Sequence, residues 1–112
     1  MDELPIDRCT RYFRAFAARD LEALGELLAP GVELRDWEIR ARGRDAVLRA
    51  NEGIFDAVEK IDLKVLDWAS RDRCVFAELE IEFDRSGAPL RVVDVIELDE
   101  EGRIVRVRAY KG

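Results

Sequence analysis

From Ile61 to its end the hydrophobic pattern of this chain keeps the period of a strand, and that change from a mainly helical first half limits the fold more than any other feature. Beyond Ile61 apolar and polar residues alternate. In residues 73–84, Val75, Ala77, Leu79, Ile81 and Phe83 face one way, with Glu78, Glu80 and Glu82 opposite. Residues 61–70, 73–84, 90–98 and 103–110 read as strands, joined at Arg71-Asp72, at SGAP (residues 86–89) and at DEEG (residues 99–102). Turns this short produce an antiparallel meander.

Before Ile61 the apolar residues recur at helical spacing. Pro5 suits the first turn of a helix over residues 5–18, with Ile6, Cys9, Phe13, Phe16 and Ala17 as its inward stripe and Tyr12 beside it. Asp20 caps a short second helix carrying Leu21, Leu24, Leu27 and Leu28, which Pro30-Gly31 stops. Residues 32–39 read as a strand. Residues 44–60 read as a third helix with Val47, Ala50, Ile54, Phe55 and Val58 inward. Helices first and strands after predict an α+β fold, a curved antiparallel sheet with three N-terminal helices on one face. Such a sheet closes into a cone, with a pocket where sheet and helices diverge.

Composition narrows the chemistry. At 112 residues the chain predicts a single domain, 1–112, with a substantial core. Its net charge of −6 argues against a nucleic-acid partner. No apolar run reaches the ~20 residues that span a bilayer, so no membrane partner is expected. The start, MDELPIDRCTRYF, is acidic and amphipathic, unlike a signal peptide, which predicts a cytoplasmic protein. Cys9 and Cys74 are far apart and in no metal-like spacing, and read as reduced thiols. The chain has no histidine. Ser-His-Asp and Cys-His nucleophiles and histidine-ligated metals are thereby excluded, and acid–base chemistry falls to carboxylates, tyrosine or lysine.

Against that background three residues stand out. Leu90, Val92, Ile96 and Leu98 share one face of the strand LRVVDVIEL, and Asp94 sits in the middle of that face. An unpaired buried carboxylate costs several kcal/mol or takes up a proton. The same parity puts Asp36 with Val32 and Leu34 on the first strand. Tyr12 can approach the same side from the first helix, carrying a phenol that needs a partner if buried. The plainer readings are a strand-end Asp36 bonded to water or a backbone amide, and a Tyr12 that merely packs. Trp37 and Trp68 read as core or interface residues or as pocket lining. The row Glu78, Glu80, Glu82 reads as a solvated face or part of a dimer surface.

The segments RYFRAFAARDLEAL, VELRD, GRDAV and DVIELDEEGRIVRVRAY give the chain its likeness to known proteins. It resembles the nuclear transport factor 2-like (cystatin-like) superfamily, which includes ketosteroid isomerases and SnoaL-like polyketide cyclases. In the isomerases a tyrosine on the first helix, an aspartate ending the first strand and an aspartate opening a DV pair match Tyr12, Asp36 and Asp94. The resemblance implies that Asp36 is the base that shuttles a proton. It also implies that Tyr12 and a protonated Asp94 donate to the oxygen of the enolate. No cofactor or metal is implied. The substrate would be a small apolar carbonyl compound, a steroid among the candidates, and the assembly a homodimer. Leu28 and Asn51 stand where the isomerases carry supporting tyrosines, Trp37 where they carry proline, and Lys111 where they carry a pocket aromatic. The alternatives are a SnoaL-like cyclase or other carbonyl enzyme, and a non-catalytic module for ligand binding or dimerisation.

Overall fold

A computed structural model describes residues 3–84 and 88–112. Helix α1 (Pro5–Ala17) begins with proline, whose missing N–H costs nothing in a first turn. It is followed by α2 (Leu21–Leu27), where the Asp20 side chain accepts from the Ala23 amide at 3.0 Å, as the sequence predicts. The next elements are β1 (Leu28–Arg35), β2 (Arg40–Arg42) and α3 (Arg44–Ala57). The meander β3 (Ile61–Arg71), β4 (Cys74–Phe83), β5 (Leu90–Leu98) and β6 (Ile104–Lys111) completes the chain.

The α+β class stands, with three helices and a six-stranded curved sheet of order β2-β1-β6-β5-β4-β3. The local departures from the expected pattern have physical causes. Pro30-Gly31 does not stop a helix but lies inside β1. There the pairing with β6 jumps from Leu28 opposite Ile104 to Glu33 opposite Arg106, so proline is asked for no ladder bond. Leu28 accordingly starts a strand instead of ending a helix. The first strand ends at Arg35 and not at residue 39, because Asp36 folds the chain back. α3 ends at Ala57, where Arg19 donates to the Phe55 and Val58 carbonyls at 3.2 and 2.8 Å. The sheet is mixed: β3 to β6 form the antiparallel meander, but β1 runs parallel to β6. The turn at Asp72, in the left-handed region at φ 54°, is as expected. Ser86 and Gly87 of the SGAP turn lie outside the described residues.

The core fills the concave side of the sheet. Leu24 and Val47 from the helices join Leu28, Val75, Leu79, Ile96 and Ile104 from the strands, all essentially inaccessible. Register shifts at Val65/Asp67 and Glu97/Leu98 add bulges, which bend and twist strands. The helices do not cover the whole concavity, and a cavity remains beneath α1 and α3. No described helix is long and apolar enough to cross a membrane.

Candidate active site

The three residues singled out by sequence line one cavity, a space of about 100 Å³ walled mainly by Phe, Leu, Ile and Val side chains. Tyr12 enters from α1. Its neighbours at helical spacing, Cys9 and Phe16, turn that face toward the sheet, and its ring meets Phe13 edge-on at 5.8 Å. Tyr12 is more deeply buried than the edge of a stripe implies, at 5% exposure. Burial pushes the phenol well above its usual pKa, reinforced by the charge of Asp94 and, more weakly, of Cys9 and Asp36.

Asp94 comes from the middle of β5, where alternation points it inward among Val92, Ile96 and Ala77. At 8% exposure it is one of two buried polar residues, with Asn51, among those described. Among the described residues neither the Asp94 carboxyl nor the Tyr12 hydroxyl hydrogen-bonds to the protein. Neither group is sealed away from space, so both open into the cavity. Burial, aided by the nearby Asp36 charge, raises the Asp94 carboxyl from 3.8 to about 7. Below that pH it carries a proton that it can donate.

Asp36 lines a more open part of the same cavity. It stands one residue beyond β1, and its Oδ1 accepts from the amides of Glu38 and Ile39 at 2.7 and 2.5 Å. Its own N–H donates to the Ile39 carbonyl at 2.9 Å. The backbone-bonded reading of Asp36 is therefore correct, yet the same side chain also faces the cavity. Trp37 follows at the rim, 42% exposed, with the Lys111 ammonium 5.5 Å from its ring centre. Trp37 thus lines the pocket, whereas Trp68 does not and is half exposed.

A SnoaL-like domain model matches residues 9–107, nearly the whole chain. The chain belongs to the SnoaL-like family. A search of curated proteins finds no match. Solved structures share the fold at low identity. An NTF2-like protein of unknown function from Cytophaga hutchinsonii superposes with a TM-score of 0.83 at 13% identity, covering 100% of this chain and 93% of that one. A protein provisionally named a polyketide cyclase, from Sinorhizobium meliloti, gives 0.83 at 22% identity over 96% and 99% of the two chains. A protein provisionally named a ketosteroid isomerase, from Kribbella flavida, gives 0.80 at 20% identity over 96% and 77%.

Within this SnoaL-like domain one further polar residue belongs to the pocket. Asn51 on α3 is 2% exposed and lines the cavity. Its Nδ2 donates to the Val47 carbonyl at 2.9 Å. Only the amide nitrogen can donate to a carbonyl, so the orientation is chemically determined and Oδ1 is left as an acceptor. The spacing Val47, Asn51, Phe55, four residues each, was the available signal that Asn51 points inward. Leu28 is buried but takes no part in the pocket; its carbonyl accepts from the Arg44 guanidinium at 2.8 and 3.2 Å. Cys9 is free and buried, its thiol pushed up to about 12 chiefly by burial, and Cys74 is also free.

Proposed function

We propose that this SnoaL-like domain is an isomerase that moves a double bond into conjugation with a ketone through an enolate. The observation that carries this reading is Asp94, an acid raised to about 7, sharing a mainly apolar cavity with Tyr12 and Asp36. The substrate ketone oxygen accepts hydrogen bonds from the Tyr12 hydroxyl and the protonated Asp94. Asp36 takes the proton from the carbon beside the carbonyl. The C–H electron pair becomes a C=C bond and the carbonyl π pair moves to oxygen, where the two donors stabilise the charge as it develops. Asp36 then returns the proton to the far carbon of the conjugated system, the enolate collapses to the ketone, and every group is restored.

The test is conversion of 5-androstene-3,17-dione to the conjugated enone, followed by absorbance. Replacing the base by Asp36→Asn should lower turnover by ~10²–10⁴-fold while binding of an enolate-mimicking phenol survives. Wild-type turnover in Asp36→Asn would sink the mechanism. The cavity, at about 100 Å³, is smaller than the roughly 300–1,000 Å³ that encloses drug-sized ligands, so a steroid requires the cavity to widen. That size keeps a second reading open on the same residues, a SnoaL-like cyclase acting on a smaller carbonyl compound. A non-catalytic module would instead bind phenols without turnover of any ketone.

A sheet-to-sheet homodimer belongs with this reading. The convex face exposes Phe76, Val93 and Tyr110. Of its carboxylates, Glu80 meets Arg91 at 3.4 Å, and Glu97 meets Arg106 and Arg108 at 3.2 and 3.4 Å. Pairing of this kind lets acidic residues border an apolar interface. Sedimentation equilibrium of wild type and Phe76→Glu tests it, with loss of a dimer expected in the variant and a monomeric wild type counting against it.

A further inference from the structure

β1 leaves the sheet before its neighbour ends. Its parallel pairing with β6 stops at Arg35 opposite Arg108, whereas β6 runs on to Lys111. The edge of β6 beyond Arg108 therefore borders a notch instead of a strand. Arg35, Arg108, Lys111, Asp36 and Trp37 wall this space of about 420 Å³. Asp36, Trp37 and Ala109 line the catalytic cavity as well, so the two spaces share a wall.

Three cations and one carboxylate line the notch: Lys111 shares the concave face with Asp94, whereas Arg35 and Arg108 belong by register to the convex face and line the notch from that side of the sheet edge. Arg35 and Arg108 stand directly opposite one another on adjacent strands, where like charges repel. Among the described residues Arg35 has no carboxylate within ion-pairing distance. Lys111 has only the Trp37 ring. Arg108 reaches Glu97 at 3.4 Å, but its Nε is buried with no acceptor. The one carboxylate, Asp36, already has Oδ1 engaged by two backbone amides. In a chain of net charge −6, cations left unneutralised beside a cavity are not explained by a shortage of carboxylates.

We propose that the notch binds a carboxylate borne by the same small molecule whose carbonyl enters the cavity, making the substrate class acidic carbonyl compounds. This rests on the reading of Tyr12 and Asp94 given above. The register supplies the reach: Asp94 is opposite Ala109, which makes Lys111 its diagonal neighbour across the strands, ~7–8 Å away. A carbonyl at Asp94 and a carboxylate at the notch are thus a few bonds apart. The reacting part fits the small cavity and the charged part stays outside it.

The experiment compares 4-ethylphenol with 4-hydroxyphenylacetate, 3-(4-hydroxyphenyl)propanoate and 4-(4-hydroxyphenyl)butanoate by calorimetry. At least one tether length should bind about tenfold more tightly than the neutral phenol, as expected for a charge-assisted hydrogen bond. The advantage should shrink in high salt, and Lys111→Met or Arg35→Gln should bring the affinity ratio toward one. Equal affinity for all four phenols, or a preference that survives both substitutions, overturns the proposal. Tightening of 4-ethylphenol by free acetate over chloride at equal ionic strength would assign the notch to a separate anion and overturn it too. So would an Arg35→Gln variant that changes only the monomer–dimer balance. If 4-ethylphenol fails to bind, or binds regardless of Tyr12→Phe, the cavity reading falls and the notch with it. Tyr12-dependent binding with no carboxylate preference removes the notch alone.

Discussion

The two ends of the cavity are built in opposite ways. At the closed end Asp94 projects from the middle of a strand, where every nearby amide is already spent on the ladder to β4 or β6. It therefore receives no donor, and burial raises it to about 7. At the open end Asp36 stands just past a strand, where the backbone turns and two amides are free to donate to it. Position in the backbone, more than residue type, decides whether an aspartate becomes a hydrogen-bond donor or an acceptor. Asp99 extends the contrast five residues along the same hairpin. Slight burial would raise it, but the amides of Arg103 and Glu101 and the Arg103 guanidinium outweigh that and lower it.

The largest expected effect of this contrast is on stability. The folded Asp94 keeps its proton to higher pH than the unfolded chain does, so the native state binds more protons between about pH 4 and 7. Stability should fall as pH rises through that window, by up to about 4 kcal/mol, and level off above it. Urea denaturation of wild type and Asp94→Asn checks this: the variant should lose the slope and be the more stable protein at pH 8. An unchanged slope would mean that Asp94 is not the group responsible.

Turnover should separate the two ends next. On the proposed mechanism Asp94→Leu removes one donor to the enolate and should lower kcat by ~10²–10³-fold once a substrate is in hand. Asp94→Asn, whose amide still donates, should retain most of what leucine loses. Equal losses in both variants would argue that the acid matters for something other than donation.

A smaller effect links the ends directly. Because the Asp36 charge is the second cause of the Asp94 shift, Asp36→Asn should lower the Asp94 titration without returning it to 3.8. Carbon-13 NMR of the labelled carboxyl measures this. An unmoved midpoint would place the whole effect in burial.

Asp99 offers the smallest test. Asp99→Ala removes acceptors for two amides in an exposed turn and should lower Tm by a few degrees at neutral pH, while leaving the Asp94 titration unmoved. The Asp99 contribution is present above the ordinary carboxylate pKa and is lost as pH falls through its lowered folded value. The difference between wild type and variant should therefore fade in acid. A displaced Asp94 titration would instead show that the middle of β5 and the turn after it are not independent.

Much of this was readable in the order of residues. The change of period at Ile61 determined the α+β class, and parity along LRVVDVIEL determined that Asp94 faces the core, because both are local consequences of backbone geometry. The Asp20 cap and the turns at Asp72 and Asp99 were legible for the same reason. Tertiary structure decided what the local pattern leaves open. Parity carried the first strand through Asp36, yet the chain turns there, since a carboxylate binding its own backbone outcompetes one more ladder pair. Pro30-Gly31 reads as a stop but is accommodated by a register jump against β6, a strand more than seventy residues away. The meeting of Trp37 with Lys111 and the notch beside Arg35 likewise depend on where β1 parts from β6. Periodicity reports which way a side chain points from its own backbone; which groups it then meets is decided by elements distant in the chain.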